Sequence, residues 1–121
     1  MESGVLHTLR AIGHSLDGLA AAFKHEVAFR QELAFAVVLA PAALLIPNEW
    51  LHRLYLLGAL FLVLIVELLN SAVEAAIDRI SEERHPLSKR AKDLGSAAVL
   101  LSLLHLGVAW LVTLYLWWKS P

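Results

Sequence analysis

Between Leu94 and Trp118 no side chain carries a fixed charge, and His105 is the one group there that titrates near neutral pH. About 20 apolar residues are enough to cross a bilayer as a helix, and a chain of 121 residues has no water-soluble interior large enough to hide this one. Two more runs have the same character: Leu33 to Asn48 and Leu54 to Val66 contain no charged residue. The first reaches spanning length by taking in Ala28 and Phe29, the second by continuing past Glu67 to Ile77. Each must be helical, because lipid offers no partner to an open backbone, and the alternation of a membrane barrel is missing. The expectation is an all-α membrane protein, one domain over residues 1–121, with spans at about 28–47, 50–80 and 90–118.

Composition excludes several function classes. The chain is 59% hydrophobic and 17% charged, against roughly 45–50% and about 25% in soluble domains. A net charge of −1 argues against nucleic acid as a partner, which calls for a basic excess. There is no cysteine, so disulfides and thiolate metal sites are ruled out. The first apolar run follows Glu26, Arg30 and Glu32, which are the wrong flanks for a cleavable signal peptide.

Basic residues set the expected topology. Arg10, Lys24 and Arg30 precede span one, and Arg79, Arg84, Lys89, Arg90 and Lys92 lie between spans two and three. Arg53 and Lys119 fall on the other side. The positive-inside rule makes the eight-residue side cytoplasmic, N-terminus included. Pro47-Asn48-Glu49 is a turn signal for a short outer connection, and Trp110, Tyr115, Trp117 and Trp118 suit an interfacial belt. Ahead of the spans, Leu9, Ile12, Leu16, Leu19 and Phe23 recur on one helical face with Arg10, His14, Asp17 and Lys24 opposite. That pattern predicts an amphipathic helix over about 5–26, lying in the membrane interface.

Span two carries the residues that least belong in lipid. Glu67, Asn70, Ser71, Glu74 and Asp78 sit at i, i+3, i+4, i+7 and i+11, one polar stripe on an apolar helix. Glu67 directly follows the run Leu60–Val66, where a charge costs several kcal/mol and is by default functional. Glu67 and Glu74 are two turns apart, about 10 Å along the axis, so one can sit at headgroup depth while the other meets water. The bland alternative is that Asn70 and Ser71 merely glue helices together, with alanines permitting close approach. Glu26, Arg30, Gln31 and Glu32 gather before span one, and Lys92 and Asp93 where span three begins. Arg79, Arg84, Lys89 and Arg90 read as topogenic charges, and His105 as a hydrogen-bonded core histidine. No G-x-x-x-x-G-K-[ST] loop and no H-R-D or D-F-G triplet is present, so a nucleotide would have to be held by carboxylate-bound Mg²⁺ and basic residues.

The strings AFRQE (Ala28–Glu32), VELLNSAVEAAIDRI (Val66–Ile80) and RAKDLGSAAVLL (Arg90–Leu101) resemble the signatures of the prokaryotic diacylglycerol kinase family. The resemblance implies a homotrimer with active sites at the cytoplasmic membrane face, shared between subunits, that transfers phosphate from ATP to diacylglycerol with Mg²⁺. It makes Glu67 the general base, Glu26 and Glu74 the metal ligands, and Asn70 a positioning group beside them. It gives the nucleotide His14, Glu26, Glu74, Glu83, Arg84, His85, Lys92 and Asp93. Ser15, Arg30, Gln31, Glu32, Arg53, Glu67, Asn70, Ser96 and Trp110 fall to the lipid substrate. The implied location is the bacterial inner membrane. An undecaprenol kinase of the same fold, a proton-coupled transporter subunit and a non-catalytic assembly protein remain as alternatives.

Overall fold

The computed structural model describes residues 2–121 and is all-helical: α1 Gly4–His25, α2 Val27–Leu45, α3 Trp50–Ile80 and α4 Pro86–Lys119. Ser3 starts α1, its Oγ accepting from the Leu6 amide at 3.1 Å, one of the donors a helix start leaves without a partner. Glu26, in extended conformation, is the single residue between α1 and α2. The Arg30 guanidinium closes the break by donating to Phe23 O at 2.7 Å and Lys24 O at 3.1 Å. The leucine stripe of α1, from Leu9 to Phe23, is exposed.

The helices α2, α3 and α4 are each long and apolar enough to cross a membrane. At 1.5 Å per residue α2 is roughly 28 Å long, close to the hydrocarbon thickness, while α3 and α4 are roughly 46 and 51 Å and must project beyond it. Pro41 removes one backbone donor inside α2 without ending the helix. At the α2–α3 turn Arg53 Nε donates to Pro47 O at 2.9 Å, and its guanidinium lies 4.7 Å from the Trp50 ring centroid. At the other turn the sequence expectation placed the third span from about residue 90, whereas α4 begins at Pro86. The cause is local: proline is preorganised for the first helical position, and His85 Nδ1 caps the helix by accepting from the Leu87 amide at 3.1 Å.

The middle helix is α3, packed on α2 along one side and on α4 along the other. The core is small: Ala59, Leu60, Val63 and Leu106, covered by Ala36, Leu39, Ala40 and Trp110. Most large apolar side chains on the three spans face outward, Phe35, Leu51, Phe61, Leu101 and Leu111 among them. Lipid is their solvent, and the bundle needs no larger core in it.

Candidate active site

The stripe on α3 points at its neighbours. Glu67 is 5% exposed although it carries a carboxylate, and Glu32 on α2 is buried with it. Charges on Glu74 and Glu26 act on Glu67, and the charge on Glu67 acts on Glu32. Among the described residues the ion pairs are Arg10–Glu2, Lys89–Asp93 and Lys92–Asp78. None of the four clustered carboxylates belongs to one. Asn70 Nδ2 donates to Glu74 Oε1 at 3.3 Å, while Asn70 Oδ1, Ser71 Oγ and Glu32 Oε2 are buried with no partner among the described residues. Breaking up a buried pair of charges costs about 3–5 kcal/mol, so carboxylates left unpaired at this depth need another justification. Buried polar atoms are nearly always satisfied, and here three exceptions fall within one neighbourhood.

Three openings surround this cluster. A groove of about 700 Å³ between α1 and α3 is lined by Ser15, Glu26 and Ser71. A cleft of about 670 Å³ at the α3–α4 turn is lined by Asp78, Glu83, Arg84, His85, Lys92 and Asp93, so it gathers five expected nucleotide residues. A smaller, apolar recess of about 290 Å³ has Glu32 in its wall with Phe35, Leu39, Leu60 and Trp110. The N-terminal helix and the α3–α4 turn therefore lie at one end of the bundle, with the carboxylates between them.

Some expected residues have other occupations in this structure. Lys92 Nζ donates to Asp78 Oδ1 at 2.8 Å and Lys89 Nζ to Asp93 Oδ2 at 2.6 Å. Both pairs are exposed, and exposed pairs exchange readily for other ions. His85 caps α4 and Arg30 caps α1. His14, Gln31 and Ser96 are exposed and line none of these openings. Arg53 stands at the Pro47 end of α3, fourteen residues and roughly 21 Å along the axis from Glu67. Sequence reasoning missed the partner of Lys92, although Asp78 was already on the stripe.

The family model described as prokaryotic diacylglycerol kinase matches residues 13–114 of the chain. The chain belongs to that family. A diacylglycerol kinase of Pseudomonas aeruginosa is 49% identical over 109 residues, 90% of this chain and 89% of the relative. One from Escherichia coli is 42% identical over 113 residues, 93% of each chain. One from Helicobacter pylori is 38% identical over 116 residues, 93% of this chain and 91% of the relative. The resemblance read from Val66–Ile80 and Arg90–Leu101 is borne out, and the chain is a kinase of lipid metabolism with membrane-spanning helices.

A kinase of this family implies Mg²⁺. Among the described residues no three histidine or acidic side chains converge to hold a metal unaided. Mg²⁺ at phosphoryl-transfer sites is usually held by one or two carboxylates together with the substrate phosphates. Among the described residues Glu26 and Glu74 are hard oxygen donors without ion-pair partners, and Ser71, whose Oγ has no partner, shares a groove with Glu26. That donor set fits a metal that arrives with its nucleotide.

Proposed function

We propose that this protein phosphorylates diacylglycerol to phosphatidic acid with ATP, at the cytoplasmic face of the bacterial inner membrane, as a homotrimer. The observation that carries the reading is Glu67: a carboxylate buried at the end of an apolar run, repelled by Glu26 and Glu74 and, among the described residues, paired with no cation. Its oxygen accepts the proton of the glycerol hydroxyl as that hydroxyl oxygen attacks the γ-phosphorus. The bond from the γ-phosphorus to the bridging oxygen breaks, and ADP leaves. A lipid hydroxyl holds its proton tightly at neutral pH, so a base within hydrogen-bond reach is worth about 10²–10⁴-fold. The acyl chains take the apolar recess between Glu32 and Trp110, and the nucleotide takes the cleft between Asp78 and Asp93. Glu26 and Glu74 are the residues that would hold Mg²⁺, which when bound neutralises charge on the phosphates. Phosphoryl transfer is mostly positioning and charge stabilisation, which a small helical scaffold provides. Eight of the ten basic residues lie on the cleft side of the spans, which supports a cytoplasmic site and N-terminus. The exposed stripe of α1 supports its lying in the interface.

Purified protein in mixed micelles, given ATP and Mg²⁺ with either diacylglycerol or undecaprenol, tests the reading. The expected result is phosphatidic acid formed in proportion to ADP, with undecaprenol a poor acceptor. Preference for undecaprenol would reassign the lipid, and no ATP consumption with either would refute the kinase. Crosslinking of the active preparation is expected to give a trimer, and an active monomer would overturn the assembly.

A further inference from the structure

Five of the six glycines have open space where a Cβ would be, and Gly95 alone does not. It lies on α4 against Asn70 of α3. The three atoms nearest a Cβ built there all belong to Asn70: Oδ1 in hard overlap, Cγ at 3.2 Å and Cβ at 3.8 Å. The same Oδ1 is one of the buried atoms without a hydrogen-bond partner. The amide has one workable orientation. A carboxylate only accepts, so Nδ2 must face Glu74 Oε1, 3.3 Å away, and the oxygen must turn to α4. There it meets the bare α-carbon of Gly95, in the space a Cβ would fill.

We propose that Gly95 is a positioning residue for the phosphoryl transfer: the missing side chain is the seat that lets Asn70 hold Glu74. A methyl group at 95 drives the Asn70 amide out of this seat. Asn70 clears the methyl group only by rotating, and rotation gives up Glu74. The function of Gly95 is thus carried through two other side chains and touches neither substrate. The inference rests on the reading of Glu74 as a metal ligand, and it names a residue in α4 on which that ligand depends.

The test compares Gly95→Ala, Asn70→Ala and the double variant with the natural protein. Each is titrated with Mn²⁺ in the presence of ATP, followed by electron paramagnetic resonance, alongside kcat for diacylglycerol. Groups that orient a metal ligand typically contribute 10–100-fold to metal affinity, so Gly95→Ala is expected to weaken Mn²⁺ binding about that much. In the Asn70→Ala background the same change should add nothing, because every remaining neighbour of the new methyl group is 3.8 Å away or more, an ordinary contact. Wild-type affinity in Gly95→Ala overturns the proposal, as does an equal loss in both backgrounds. Should Gly95→Ala fail to fold, the double variant decides: its folding supports the seat, and its failure shows that the helix crossing itself rejects a methyl. A protein that shows this Mn²⁺ pattern but does not phosphorylate diacylglycerol refutes the proposed substrate and leaves the seat standing. A natural protein that binds no Mn²⁺ with ATP overturns both.

Discussion

The two ends of the bundle treat buried polar groups in opposite ways. At the Pro47 end no buried side-chain atom among the described residues lacks a partner. Thr113, 1% exposed, donates its hydroxyl proton to Ala109 O at 2.7 Å, so it can only accept from His52 Nε2 at 2.8 Å. That fixes the Nε2–H tautomer of His52. The Tyr55 hydroxyl and His105 Nε2 are 2.6 Å apart, and Arg53 is held by Pro47 O. At the other end Glu67 and Glu32 are buried without a cation, and Asn70, Ser71 and Glu32 keep unpartnered atoms. Matched groups tie helices together in lipid. Unmatched ones cost stability and leave free the valences that a substrate, a nucleotide and its metal would take up. Helix α3 runs through both ends, so membership of one span does not explain the difference.

Substitutions at each end should break that contrast in opposite directions. The largest effect is expected at Glu67: Glu67→Gln keeps the shape and removes the proton acceptor, and kcat should fall by about 10²–10⁴-fold with the ATP KM nearly unchanged. Next comes Glu74→Gln, which should raise the Mg²⁺ concentration for half-maximal activity by about 10–100-fold. Unaltered Mg²⁺ dependence in a titrated kinase assay would remove Glu74 from the metal. At the Pro47 end, Thr113→Val leaves His52 without its acceptor and should cost about 0.6–1.7 kcal/mol, read as a lower melting temperature in detergent with kcat kept. Tyr55→Phe, at a more exposed pair, should cost less, about 0.5 kcal/mol. A loss of turnover in either variant would show that the Pro47 end is coupled to the chemistry.

The three spans were legible because each is built on an uncharged apolar run, and the stripe from Glu67 to Asp78 because its spacing lies on one helix. Relations between helices were not legible. Lys92 and Asp78 are fourteen residues apart, Tyr55 and His105 fifty, and no local period joins them. His105 was expected to be hydrogen-bonded in a core. It is hydrogen-bonded but exposed, because its partner is a neighbouring helix and not an interior. His85 and Pro86 were visible as a break in the charged loop, yet their work as cap and first helical residue moved the start of α4. Arg30 was visible as a charge before span one, but its hold on Phe23 and Lys24 depends on the chain folding back at Glu26.

The contrast is tested most directly by measuring kcat and melting temperature of Glu67→Gln on one detergent-purified preparation. A buried carboxylate with no cation destabilises the fold that holds it, so a neutral amide of the same size should leave the melting temperature unchanged or higher. The expected result is that stability together with a kcat lower by at least about 10²-fold. A lowered melting temperature with turnover near that of the natural protein would place Glu67 beside His52 and Thr113, as a group that ties helices, and would contradict its role as the base.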